Sequence, residues 1–290
     1  MNAPLFIGGS GRSGTTLVVD MLGLHSQLSP IYETAFVVPL AAMVLSKQGP
    51  EDVDALGQMV GDYMQKWAAP LPHRPHNKGQ HERYFHGPHY ILLSREFIMD
   101  QVQTMMARVR SGGRLAAFRD FLLTLFSHHA QLDGKPIWIN KHPGYVKAVD
   151  FLKAVFPAMK FIHCVRDGRD VALSVISRDW GPNSFEEAAS WWLDALKPGF
   201  AFEEKHPAHC LNLGYEILIS QTAEVLPQVF AWLGLKDETP QILARYQGPE
   251  GPSLDTIRMG RWRDQASADD IARFDAIAGT MLSHLGYPRS

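Results

Sequence analysis

Cysteine is scarce. Only Cys164 and Cys210 occur among 290 residues, each inside an apolar run that reads as a buried strand. A secreted disulfide scaffold needs more, so two inert core thiols in a reducing compartment are expected. Charge of one sign is not in excess either. Lys plus Arg total 28 against 30 Asp plus Glu, for a net charge of −2. That excludes the global basic field of a nonspecific DNA binder, and no nucleic-acid partner is expected. Long hydrophobic runs are missing. The longest strongly apolar uncharged stretch, Thr34 to Ser46, contains Pro39. It is shorter than the ~18 to 20 residues a membrane span requires. The N-terminus MNAPLFIGGSGRSG has no basic leader region. A soluble, cytoplasmic protein with no membrane partner is therefore expected. Tight metal-ligand spacing is absent as well. His73, His76, His81, His86 and His89 fall in a Pro/His/Gly/Arg-rich loop between Ala69 and His89, without cysteine neighbours. No metal site is expected there.

Strand and helix signals alternate at both ends of the chain. Leu5 to Gly9 is a short apolar run ending in glycines, as in a buried parallel strand. A helix from Thr15 to Leu24 follows, and a second covers Thr34 to Ser46 with a kink expected at Pro39. In the middle third, Ile98, Val102, Met105, Met106 and Val109 share one helical face, and Ala116 to Gln131 reads as another helix. Strands are then expected at Pro136–Asn140, Lys160–Val165 and His209–Leu213. Helices are expected at Tyr145–Phe156, Asp167–Arg178, Phe185–Lys205 and Ile217–Leu233. The last helix starts at Ser267 with Asp270 three residues on, a capping-box-like signal. Repeated βα units argue for an α/β fold: a central parallel sheet flanked by helices, with ligands bound beyond the strands' carboxyl ends.

Two segments stand where such a fold binds anions. Gly8 to Leu17, GGSGRSGTTL, follows a strand and opens a helix. Its glycines let backbone N–H groups converge on an anion, and Thr15 and Thr16 add hydroxyl donors. The spacing of Gly9 and Gly14 is that of a Walker loop, but Thr15 stands where the lysine belongs and the basic residue is Arg12. An ordinary ATPase or GTPase needs that lysine. The second segment, Arg166 to Ser174, reads RDGRDVALS directly after the strand FIHCV. Arg166 falls at the strand's carboxyl end and Ser174 about two turns into the next helix, so both can donate to one phosphate.

Taken together these motifs resemble the sulfotransferases that use 3′-phosphoadenosine-5′-phosphosulfate (PAPS). The nearest likeness is to the tyrosylprotein sulfotransferases and related bacterial enzymes. The resemblance implies a P-loop-type three-layer fold in one domain over 1–290; it does not extend through about 45–134, a helical insertion where acceptor recognition is expected. It assigns Gly11, Arg12, Ser13, Gly14, Thr15 and Thr16 to the donor's 5′-phosphosulfate. Arg166 and Ser174 are assigned to its 3′-phosphate, and Tyr215, from Leu213-Gly214-Tyr215-Glu216, and Arg261, from Gly260-Arg261-Trp262-Arg263, to the same phosphate. Ser253 matches a serine near the bridging region. Glu33, followed by Thr34 and Pro39, resembles the catalytic base of the tyrosylprotein branch. Lys141, in Asn140-Lys141-His142-Pro143, resembles the lysine that stabilises the transferring group. His142 fits another branch's catalytic histidine loosely and is the second-choice base; its chemistry suits the task.

The implied reaction is metal-free, in-line transfer of a sulfuryl group from PAPS to an acceptor hydroxyl, leaving 3′-phosphoadenosine-5′-phosphate (PAP). The acceptor, whether small molecule, sugar or peptide tyrosine, is not readable from the sequence, nor is assembly, a homodimer included. Two rivals remain at this stage: a P-loop small-molecule kinase, and a catalytically silent PAP/PAPS-binding protein of the same fold.

Overall fold

The computed structural model describes residues 3–46, 52–68, 93–246 and 259–288. Five strands form one sheet in the order β2-β3-β1-β4-β5. They are β1 (Leu5–Gly9), β2 (Leu28–Tyr32), β3 (Ile137–Lys141), β4 (Lys160–Val165) and β5 (Cys210–Gly214). The expected architecture, a parallel sheet flanked by helices, is what the chain adopts. By contacts the chain divides into two compact units.

One unit is built mainly from Ser26–His142. β2 and β3 pair in parallel, with Tyr32 opposite Lys141. Around them lie α2 (Val37–Leu45), α3 (Val53–Met64), α4 (Arg95–Arg110) and α5 (Arg114–Leu132). Ser94 caps α4 by accepting from the Phe97 N–H at 3.1 Å. The Ile98, Val102, Met105, Met106 and Val109 face is buried as its period requires. An aromatic chain, Phe36 to Phe126 to Trp138, ties α2, α5 and β3 together. Helices α3 to α5 occupy the stretch expected as an insertion. The 69–89 loop lies outside the described residues. Pro39 sits in the first turn of α2, where its missing N–H removes no intrahelical bond, so the reason for expecting a kink there disappears.

The other unit comprises Phe6–His25, Pro143–Val149 and the chain from Lys160 onward. β4 and β5 pair in parallel, with His163 opposite Asn212. Helices α1 (Thr15–Gly23), α7 (Gly168–Val175), α8 (Phe185–Lys205) and α13 (Ala268–His284) are its main helical elements. α6 (Val149–Val155) precedes β4. Trp192, Phe274, Val171 and Leu282 centre the core between α7, α8 and α13. Ser267 caps α13, accepting from the Asp270 N–H at 3.1 Å as the sequence signal predicts. The helix expected over Ile217–Leu233 is two, α9 (Tyr215–Ser220) and α10 (Thr222–Leu233), because Gln221 leaves helical geometry at φ −133°. α11 (Thr239–Tyr246) and the short α12 (Trp262–Gln265) complete the described elements. Cys164 and Cys210 are buried and form no disulfide. Burial, with the nearby Glu203 charge, pushes the Cys210 thiol up to about 12.

Candidate active site

The glycine turn leaves β1 and opens α1. Gly14 caps that helix at φ 89°, a left-handed conformation that favours glycine. A Cβ at Gly14 would lie 2.2 Å from the Tyr215 ring, so the turn also needs glycine for space. Ser13 and Thr15 are buried and Thr16 is half-buried. Among the described residues, Ser10 Oγ and Ser13 Oγ have no hydrogen-bond partner. Enclosed hydroxyls on a left-handed turn at a helix N-terminus fit an anion that the turn would hold.

The RDGRDVALS segment reaches the same turn. Arg12 Nε donates to Ser174 Oγ at 2.8 Å across 162 residues of sequence. Arg166 Nη1 donates to the Arg12 carbonyl at 3.2 Å. The Arg166 guanidinium lies over the Tyr215 ring, 4.3 Å from its centroid, a cation–π contact. Burial raises the Tyr215 hydroxyl above its ordinary range, with the Arg166 charge opposing. Arg261, at the start of α12, bonds Gln265 Oε1 at 2.8 Å. The structure thus joins Arg12, Ser174, Arg166 and Tyr215 around the glycine turn. Ser253 lies outside the described residues.

Several neighbours of this site acquire their roles only through the fold. Asp167 caps α7, accepting from the Arg169 N–H at 3.0 Å, and grips the Arg169 guanidinium through both oxygens. It also accepts from Trp262 Nε1 at 3.1 Å, and Arg169 stacks on that indole at 3.7 Å. Glu216 accepts from the Asp167 N–H at 3.0 Å and from the Tyr287 hydroxyl at 2.7 Å. Burial raises Glu216 above the usual carboxylate range, the two donors opposing. Trp191 packs on Gly11, and the exposed Trp180 lies beside it.

The other unit holds a second cluster at the carboxyl ends of β2 and β3. Lys141 Nζ bonds Glu33 Oε1, and the Glu33 N–H donates to the Lys141 carbonyl at 2.8 Å. Lys141 is 1% exposed, so its ammonium depends on that carboxylate and on the Tyr32 ring face, 5.7 Å away. His142 Nε2 stands 4.0 Å from Glu33 Oε2. Burial holds the His142 imidazole below its ordinary pKa; the Glu33 charge opposes and the Lys141 charge adds. Thr34 Oγ1 bonds Asn140 Oδ1, fixing the turn behind Glu33. All three predicted residues of the Glu33, Lys141 and His142 group therefore meet.

Among the described residues, two non-glycine residues have positive φ: Arg12 at 69° and Glu33 at 51°. Each such residue costs about 1–3 kcal/mol, and strain of this kind concentrates where function demands a geometry. Both are residues singled out from sequence. No group of three or more His, Cys, Asp or Glu suited to a metal occurs among the described residues.

A parallel-stranded α/β chain with a glycine turn and convergent arginines at a strand's carboxyl end belongs to a class of enzymes built to grip anionic substrates. Residues 4–239 match the family model for the Sulfotransferase family, and the chain belongs to that family. It is 25% identical to protein-tyrosine sulfotransferase 2 of Gallus gallus, over 98% of this chain and 69% of that protein. It is 26% identical to protein-tyrosine sulfotransferase 1 of Danio rerio, over 98% and 72%. Among solved structures, the sulfotransferase domain of the Synechococcus PCC 7002 olefin synthase superposes with a TM-score of 0.58 at 22% identity, over 97% of this chain and 96% of that one. The sulfotransferase domain from the curacin biosynthetic pathway gives 0.55 at 18%, over 100% and 99%. These structures share the fold. The chain is a sulfotransferase enzyme, and nothing in its relatives favours a kinase.

Proposed function

We propose that this sulfotransferase takes PAPS as donor, without a metal ion, and moves its sulfuryl group to an acceptor hydroxyl. The observation that carries the reading is the meeting of Arg12, Ser174 and Arg166, two motifs far apart in sequence that converge on one glycine turn. A site with two arginines, hydroxyls and a helix N-terminus suits a nucleotide bearing anionic groups at both its 5′ and 3′ positions.

In this reading Gly11, Ser13, Gly14, Thr15 and Thr16 hold the 5′-phosphosulfate through backbone N–H and hydroxyl donors. Arg166, Ser174, Tyr215 and Arg261 hold the 3′-phosphate; the family pattern alone assigns Ser253 to the bridging region. Glu33 takes the acceptor's proton as its oxygen bonds to sulfur; the bond from sulfur to the bridging phosphate oxygen breaks, and PAP leaves. His142 is the second candidate for that proton. Arg12 and Lys141 stabilise charge on the sulfuryl oxygens and the departing phosphate, each such donor being worth roughly 10²- to 10³-fold in rate. A sulfuryl group carries less charge than a phosphoryl group, so fixed cations suffice where kinases use Mg²⁺. The relatives named protein-tyrosine sulfotransferases make a peptide tyrosine the first acceptor to try, ahead of sugars, simple phenols and alcohols.

The test is transfer of label from ³⁵S-PAPS to a panel of these acceptors in the presence of EDTA. Labelled product that disappears in Glu33→Gln supports the reading. PAP binding without transfer to any acceptor would instead identify a silent binding protein, and transfer that requires a divalent ion would remove the metal-free mechanism.

A further inference from the structure

Asp170 lies one turn into α7 and its side chain is 1% exposed. A buried carboxylate needs several donors, and those of Asp170 come from two directions. Its Oδ2 accepts from the Gly260 N–H at 2.6 Å and its Oδ1 from the Trp262 N–H at 3.1 Å. On the other side Arg166 Nη2 approaches Oδ2 to 3.6 Å. Gly260 turns at φ 69°, a left-handed conformation that favours glycine, and so delivers its N–H to Asp170. Arg261 stands between the two anchored N–H groups. One carboxylate therefore bridges the guanidinium of Arg166 and the backbone on both sides of Arg261.

We propose that Asp170 is a positioning residue for the 3′-phosphate. It fixes Arg166 and the Gly260–Trp262 turn in one arrangement, so that two cations from distant parts of the chain face the same group. This rests on the reading of the site as one for a 3′-phosphorylated nucleotide. A carboxylate beside an anion site repels the anion, so its Coulombic effect alone opposes binding. Positioning predicts the opposite sign, because an Arg166 without its carboxylate, and a turn without its acceptor, lose the preset geometry that binding exploits.

The experiment compares PAP with adenosine 5′-monophosphate, which differ only in the 3′-phosphate, by calorimetry on wild type and Asp170→Asn. In the variant the amide turns a donor toward donors, leaving one N–H or Arg166 without its acceptor. Wild type should prefer PAP. Asp170→Asn should lose about ten- to a hundredfold in PAP affinity, the range for a hydrogen bond to a charged group, with adenosine 5′-monophosphate unchanged within about threefold. Equal loss for both ligands means a merely structural role, and unchanged or tighter PAP binding means a Coulombic one or none; each overturns the proposal. If wild type itself shows no preference for PAP, the donor assignment fails first. Should Asp170→Asn not fold, Asp170→Glu, which keeps the charge but displaces it by one methylene, must show the same selective loss.

Discussion

Replacing Gly14 with alanine strikes the glycine turn, Tyr215 and Arg166 together. The left-handed backbone at φ 89° costs an L-residue about 1–2 kcal/mol. The new Cβ would lie 2.2 Å from Tyr215 Cδ2 and 2.8 Å from Cε2. Carbon atoms pack at about 3.5–4.0 Å, so the ring must retreat by roughly 1.3 Å or more. Overpacking of this kind costs about 1–3 kcal/mol. The sum is about 2–5 kcal/mol, a large share of the 5–15 kcal/mol typical of a folded protein. Moving the ring also withdraws the face on which Arg166 rests, so PAP affinity should fall as well. Urea unfolding of wild type, Gly14→Ala, Tyr215→Ser and the double variant separates the two causes. In the serine background only the backbone cost should remain, giving a coupling of about 1–3 kcal/mol between the sites. A Gly14→Ala protein within about 0.5 kcal/mol of wild type, or a strictly additive cycle, would refute the reasoning.

Arg12→Ala and Arg12→Gly remove the same side chain but differ at φ 69°, so glycine should be the more stable by about 1–2 kcal/mol in urea titrations while both lose PAP binding. Glu33→Gln should lower kcat by about 10²- to 10⁴-fold with PAPS affinity little changed; retained turnover that vanishes in His142→Gln would move the base to His142. His163 is fully buried, with Nδ1 bonded to Asn212 Oδ1 at 2.8 Å, and burial lowers its pKa to about 4. The unfolded chain therefore binds the proton first, and stability should fall as pH drops from about 6.5 to about 4, by about 3 kcal/mol for this group. His163→Gln should flatten that part of the stability–pH profile, and an unchanged profile would contradict the assignment.

The sheet and the glycine turn were legible because their signals are local: an apolar five-residue strand, then glycines, then a helix. β2 was not. Its sequence LSPIY carries a proline, which argues against a central strand, but β2 lies at the sheet edge, where a missing N–H is tolerated. The break at Gln221 was hidden because apolar periodicity continues on both sides of it. Glu33 and Lys141 were each recognisable by family pattern, yet their pairing, 108 residues apart, is a product of β2–β3 register. Asp167 and Asp170 read only as acids at a helix start. Their roles as acceptors for Trp262 and Gly260, 95 and 90 residues on, depend on where the chain's end folds back.

The central claim is that the glycine turn and the RDGRDVALS segment form one site for a nucleotide phosphorylated at its 3′ position. Calorimetry of the wild-type protein with PAP and, separately, with Mg-ATP tests it most directly. PAP should bind at least about tenfold tighter, and Arg166→Gln should erase that margin. Mg-ATP binding as tight as PAP, or a margin that survives Arg166→Gln, would contradict it.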